Sequence, residues 1–173
     1  MGYRKGTVSR LSPAFLMSAV VDAHKTVLVI EDNADEVFFF QSAVHKKRCP
    51  FTFRFVSDGE EAIAYMKGEG PFSDRKANPF PTLVLLDLML PKLNGFDVLD
   101  WMRQTPGCKE LRVIVWSGWN YPANIERAKK AGVDSFIIKG LQGDAAKIIS
   151  LIESELGGEK ASSQSFEARQ EKS

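Results

Sequence analysis

The sequence predicts an α/β fold, a doubly wound five-stranded parallel sheet of order 2-1-3-4-5 between helical layers in a three-layer α/β/α arrangement. Three observations predict it. Short apolar runs alternate five times with segments of helical periodicity. Two of those runs, 82–87 and 112–116, are apolar almost throughout, as parallel strands covered on both faces are. A third, 51–57, alternates Phe51, Phe53 and Phe55 with Thr52, Arg54 and Val56, the pattern of a strand covered more on one face, as at a sheet edge. Right-handed crossovers leave few topologies for such a chain, and the order 2-1-3-4-5 puts the alternating strand at an edge.

Each element has its own signals. Residues 26–31, TVLVIE, form the first strand. Asp32 or Asn33 then offers a cap for a helix with acidic Asp35 and Glu36 in its first turn and Lys46, Lys47 and Arg48 in its last, a polarity that suits the helix dipole. Val37, Phe40 and Val44 share its inner face, and Cys49-Pro50 ends it. After the alternating strand, Ser57-Asp58-Gly59 opens a second helix that packs through Ala62, Ile63, Tyr65 and Met66. Gly68 to Pro71 stops it, and a loop rich in Pro, Gly, Asn and charge runs to Pro81. The strand 82–87 follows, then a helix capped by Asn94 that packs through Phe96, Val98, Leu99, Trp101 and Met102. The strand 112–116 leads to a helix that starts near Pro122 and stops at Gly132. Residues 135–139 are the fifth strand, and a last helix from about Asp144 to Leu156 turns Ile148, Ile149, Ile152 and Leu156 inward.

The domain is therefore expected over 25–156, with tails at 1–24 and 157–173, the latter polar and disordered. Positive residues ahead of the apolar stretch 13–21 faintly outline a secretory signal, but a cytoplasmic protein makes more sense of the remainder, and Met17 is a second candidate start. A net charge of +1 gives no electrostatic case for nucleic acid or anionic membrane. Two cysteines without ligand spacing point to a reducing compartment and to no metal site of their own, and no apolar run is long enough to span a membrane. Phe38 to Phe40 cannot all face the core from one helix, which leaves room for local packing, a partner or a second subunit as a homodimer.

What terminates each apolar run is the informative feature. The first run ends in Glu31-Asp32, the third in Asp87, the fourth in Trp116-Ser117 and the fifth in Lys139. In a parallel sheet these ends share one rim, and the crevice between the first and third strands is where ligands bind. Any one of these residues alone would read as a turn former, a helix cap or a solvated charge. Together they place three carboxylates, a hydroxyl and an ammonium in one spot. Crowded carboxylates repel, a divalent cation relieves the repulsion, and oxygen ligands without His or Cys suit Mg²⁺ rather than Zn²⁺. His24 and His45 lie outside this group and read as surface residues.

These residues resemble the receiver domain of bacterial response regulators, the CheY-like family with its flavodoxin-like strand order. The likeness covers about Lys25 to Leu156 and rests on VLVIEDN at 27–33, LLDLMLPKLNG at 85–95 with Pro91 and Gly95, Ser117 thirty residues after Asp87, and Lys139 twenty-two after Ser117. The resemblance implies that Asp87 accepts a phosphoryl group. It implies that Glu31, Asp32, Asp87 and the Met89 backbone carbonyl hold Mg²⁺, that Ser117 and Lys139 contact the phosphoryl group, and that Phe136 is the switch aromatic. The donor would be a phosphohistidine on a sensor histidine kinase or a histidine phosphotransfer protein, and the output a downstream protein partner. The long loop 68–81 resembles a subgroup of single-domain receivers that often partner phytochrome-type kinases. Gly140 departs from the family's usual Pro after the lysine. A cis bond without proline costs about 2.5–4 kcal/mol, so Lys139-Gly140 is expected to be either trans or strained. Trp116 and Trp119 beside Ser117 are bulkier than the family pattern suggests.

Other function classes remain in view. A haloacid-dehalogenase-type phosphohydrolase would need a second Asp where Met89 stands. No phosphate-binding glycine motif follows the first strand, and too few residues follow the last helix for a DNA-binding output domain. A receiver-like interaction module that no longer uses phosphate is the alternative that Gly140 and the tryptophans keep open.

Overall fold

The computed structural model describes residues 25–140 and 144–157. The tail segments 1–24 and 158–173, and with them His24 and Met17, lie outside the described residues. In chain order the elements are β1 (Thr26–Ile30), α1 (Ala34–Lys47), β2 (Thr52–Val56), α2 (Gly59–Lys67), β3 (Leu83–Leu86), α3 (Gly95–Gln104), β4 (Arg112–Ser117), α4 (Pro122–Lys130), β5 (Ser135–Ile138) and α5 (Asp144–Gly157), with a 3₁₀ turn at Gly70–Phe72. All strand pairs are parallel and the order is β2-β1-β3-β4-β5, as the sequence predicts.

Alternation along the strands sorts the core into two halves. Val27, Val29, Leu83, Leu85, Ile114 and Trp116 meet Phe40 of α1 and Ile148, Ile149 and Ile152 of α5. Their neighbours Leu28, Ile30, Val84, Leu86, Val113 and Val115 meet α2, α3 and Ala128 of α4. Each large aliphatic side chain buried in this way stabilises the fold by about 1.5–3 kcal/mol. β2 at the edge keeps four half-buried residues, and β5 at the other edge is likewise half-open. Of the three consecutive phenylalanines, Phe40 is fully buried against Phe53, Phe55 and Trp116, whereas Phe38 and Phe39 are exposed.

Side-chain oxygens start the helices. Asn33 accepts from the amides of Asp35 and Glu36, Asp58 from Glu61, and Asn94 from Phe96 and Asp97, with Asp97 closing a capping box. Gly68 ends α2 at φ +75°, a left-handed conformation that costs glycine nothing.

The loop after α2 carries order that its composition does not suggest. Arg75 donates to the carbonyls of Tyr65 and Met66 at the end of α2, the Tyr65 hydroxyl donates to Pro79 O, and Arg54 of β2 donates to Ala77 O. Arg103 plays a similar part at the foot of α3. Its guanidinium donates to the carbonyls of Ala131 and Gly132 after α4 and to those of Lys109 and Leu111 before β4.

Candidate functional site

The rim residues meet where the sheet order requires. Asp87 follows β3, and its amide donates to Ile30 O of the neighbouring β1. Glu31 follows β1, and its amide donates to Val56 O of β2. The turn after Asp87 closes tightly because Gly95 lies against it: a Cβ there would come within 2.2 Å of the Asp87 carbonyl oxygen.

Asp87 is buried, with both carboxylate oxygens engaged. Oδ1 accepts from Ser117 Oγ at 2.6 Å and from the Met89 amide at 3.0 Å, and Oδ2 accepts from Lys139 Nζ at 2.6 Å. The Trp119 amide donates to Ser117 Oγ at 3.2 Å, so the hydroxyl is held from both sides. Lys139 Nζ also donates to Glu31 Oε2 at 2.7 Å and lies 2.6 Å from Glu36 Oε2. Glu31 Oε1 in turn accepts from the Asn33 amide. Below the ammonium, the Trp116 ring centroid lies 5.0 Å away, within cation–π range.

Four carboxyl groups and one ammonium thus crowd one end of the sheet. Burial pushes the Glu31 carboxyl up to about 7, against the opposing pull of Lys139. Burial alone would lower Lys139, but its contacts with Asp87, Glu31 and Glu36 outweigh it and hold the ammonium above the ordinary lysine range. Oxygens of Glu31, Asp32 and Asp87 all lie within 4.8 Å of one another, with Asp32 exposed and the other two buried. This set is hard, anionic and open to solvent on one side, and a cation, the Lys139 ammonium, already bridges two of its members. It suits a divalent metal that prefers oxygen.

A family model, the response regulator receiver domain, matches residues 27–153. The chain belongs to the response regulator receiver family. It is 27% identical over 139 residues to response regulator Rcp1 of Synechocystis sp., which spans 80% of this chain and 92% of that protein. The phosphorylated cyanobacterial phytochrome response regulator RcpA superposes with a TM-score of 0.65 at 29% identity, covering 77% of this chain and 91% of RcpA. The Mn²⁺-bound form of Rcp1 superposes with a TM-score of 0.67 at 25% identity, covering 83% of this chain and 99% of Rcp1. Receiver domains are phosphoacceptor switches of two-component signalling that work with histidine kinases or phosphotransfer proteins.

The receiver fold brings Glu31, Asp32, Asp87, Ser117 and Lys139 together as the strand-end argument predicts. Phe136 is half-buried beside β4 and shares a sheet face with Ser117, one residue pair further from the rim. The two tryptophans do not crowd the hydroxyl. Trp116 turns to the opposite face, under Lys139, with its indole N–H buried and without a hydrogen-bond partner among the described residues, and Trp119 rests its ring 6.4 Å from Phe96.

No peptide bond among the described residues is cis, so Lys139-Gly140 is trans. The strand end is fixed instead by two hydrogen bonds, from the Lys139 amide to Ser117 O and from the Gly140 amide to the Asp144 carboxylate. His45 is exposed and away from the site.

Sequence reading misses two residues here. Asp144 reads only as a helix-starting acid, and Glu36 only as a charge suited to the dipole of α1. Glu36 lies in the first turn after Asn33, and from there its Oε2 comes within 2.6 Å of Lys139 Nζ.

Proposed function

We propose that this receiver domain is a single-domain response regulator of a two-component phosphorelay, phosphorylated on Asp87. The observation that carries the reading is the double anchoring of the Asp87 carboxylate. One oxygen is fixed by Ser117 and Met89 and the other by Lys139, beside an acidic pair.

In the proposed reaction an Asp87 oxygen attacks phosphorus in line as the bond to the donor imidazole nitrogen breaks, and the freed imidazole takes up a proton. The rim supplies position, and Lys139 supplies charge to the phosphoryl oxygens. Glu31, Asp32, Asp87 and the Met89 carbonyl would hold Mg²⁺, which when bound supplies positive charge to the same oxygens. The acyl phosphate carries more negative charge than the carboxylate it replaces (compare). Ser117 then turns its hydroxyl toward the new group, and Phe136 moves inward into the space behind it. That selects a second packing of α4 and β5, which a downstream protein partner reads. Hydrolysis of the acyl phosphate by the domain itself resets the switch. The resemblance to phytochrome response regulators supports a kinase of that type as donor and a cytoplasmic site of action.

The test is intact mass after incubation with Mg²⁺ and acetyl phosphate, beside an Asp87→Asn variant. One added phosphoryl group in the wild type and none in the variant is the expected result. No uptake, and no response to beryllofluoride, would replace this reading with a phosphate-independent interaction module.

A further inference from the structure

We infer that Glu36 is a gate on Lys139: its carboxylate occupies the ammonium position that an incoming phosphoryl oxygen needs, so release of Glu36 sets how readily Asp87 is phosphorylated. This rests on the phosphoacceptor reading of Asp87 and adds a residue to which neither the motif nor the family pattern assigns a role.

An ammonium has three N–H donors. Lys139 Nζ donates to Glu31 and Asp87, and Glu36 Oε2 packs against it at 2.6 Å, so carboxylates cover the ammonium on three sides. A phosphoryl oxygen can reach the ammonium only if one of the three leaves. Asp87 is the nucleophile and is held by Ser117 and the Met89 amide. The Glu31 side chain is 1% exposed, and its other oxygen is tied to the Asn33 amide. Glu36 differs on each count. Its side chain is 31% exposed, and Oε2 meets the ammonium off the hydrogen-bonding direction, with no other partner among the described residues. Of the three, it is the carboxylate with solvent to swing into and least to lose.

Glu36 also adds repulsion. Its oxygen and the Asp87 oxygen lie 2.6 Å from one nitrogen, so a dianionic phosphoryl donor must approach within about 5 Å of an extra negative charge. In the reaction the bond from phosphorus to the donor breaks, at the imidazole nitrogen of a phosphohistidine or at the oxygen of the departing acetate of acetyl phosphate, and a bond to an Asp87 oxygen forms. Glu36 makes and breaks no covalent bond, and gives up only its contact with Lys139.

The experiment measures initial rates of acetyl phosphate uptake by intact mass, with Mg²⁺, for the full chain and its Glu36→Gln and Glu36→Asp variants. Glu36→Gln removes the charge, and uptake is expected to rise by roughly three- to tenfold. Glu36→Asp keeps the charge but draws it back by one methylene, and a smaller rise is expected. The half-saturating beryllofluoride concentration, read by tryptophan fluorescence, falls in the same order, which a purely structural role for Glu36 would not produce. If the wild type is modified on Asp87 and both variants take up phosphoryl at the wild-type rate or more slowly, the gate is overturned while the phosphoacceptor reading stands. Uptake by Glu36→Gln alone would be the expected result in its strongest form. No uptake and no beryllofluoride response in any of the three overturns both readings.

Discussion

Replacing Glu31 with glutamine should stabilise the protein in the absence of divalent metal. Glu31 is buried with Asp87 and Asp32 as neighbours, and its carboxyl is pushed from an ordinary 4.5 up to about 7, chiefly by desolvation. Below about pH 4.5 the folded and unfolded chains both hold the proton and the residue contributes nothing. Between 4.5 and about 7 the folded form keeps a proton that the unfolded chain has already released, so stability falls as pH rises. Above 7 the full penalty is present, about 3 kcal/mol at 1.36 kcal/mol per pH unit. The value of about 7 already includes the pull of Lys139, and glutamine stands in for the protonated acid, so a net gain of about 2–3 kcal/mol is expected. For a chain of this size that is a rise of roughly 4–12 °C in Tm. Thermal melts of both proteins from pH 5 to 8 in chelator check it: the curves should lie close together at pH 5, separate up to about pH 7, and run parallel beyond. Saturating Mg²⁺ should reverse the order, since a ligand at 1,000 times its Kd stabilises the binding form by about 4.1 kcal/mol and the variant lacks one ligand. A variant less stable than wild type at pH 8 in chelator, or a gap that does not vary with pH, would refute the argument.

Gly95→Ala should act on fold and chemistry together: the added Cβ meets the Asp87 carbonyl oxygen at 2.2 Å and Leu88 Cα at 2.6 Å, both backbone atoms. A loss of about 1–3 kcal/mol in urea melts is expected, with a fall of about 10²-fold in acetyl phosphate uptake as the carboxylate is displaced. Phe40→Ala empties a fully buried site between Phe53, Phe55 and Trp116 and should cost about 3–5 kcal/mol by urea denaturation. Asp58→Ala removes the cap on the Glu61 amide and the 2.5 Å ion pair with Lys92, a loss of about 1–2 kcal/mol. Burial opposes ionisation of Asp58, yet Lys92 and the capped amides hold its carboxyl below the usual aspartate range. Its contribution is therefore present above about pH 4 and lost as pH falls below that, where the two melts should converge.

The fold was legible because its signals are local. Asn33, Asp58 and Asn94 cap their helices through atoms two or three residues away, and the apolar runs differ in pattern according to whether one or both faces are covered. The strand ends were legible for a related reason. Once the order is known, Glu31, Asp87, Ser117 and Lys139 fall on one rim without any knowledge of side-chain conformation. Glu36 and Asp144 were not legible, since each depends on how far a side chain reaches from one element to another. Glu36 could have pointed to solvent from the same helix position; it bends to Lys139 because the first turn of α1 stands over β5's end. Gly140 raised a doubt that sequence alone does not resolve, because the replacement for the missing proline lies four residues on, in the Asp144 carboxylate. The order of the 68–81 loop is hidden likewise, since Arg75 acts through backbone carbonyls that any sequence presents.

Two of the four bonds of Arg103 give α4 a fulcrum. They fasten the chain just after its last turn, at Ala131 and Gly132, to the foot of α3. The leading end is held more lightly: Tyr121 precedes the helix exposed and without a side-chain cap, a single long bond runs from Asn124 Nδ2 to Trp119 O, and Ala128, near the far end, is the buried residue of the helix. A rod held firmly at one end and lightly at the other responds to a push by pivoting. The push would come at the lightly held end, where the chain leaves Ser117. In the proposed switch, a small shift there would become a swing of the helix about Arg103, and the surface travelling farthest would carry Tyr121 and Pro122.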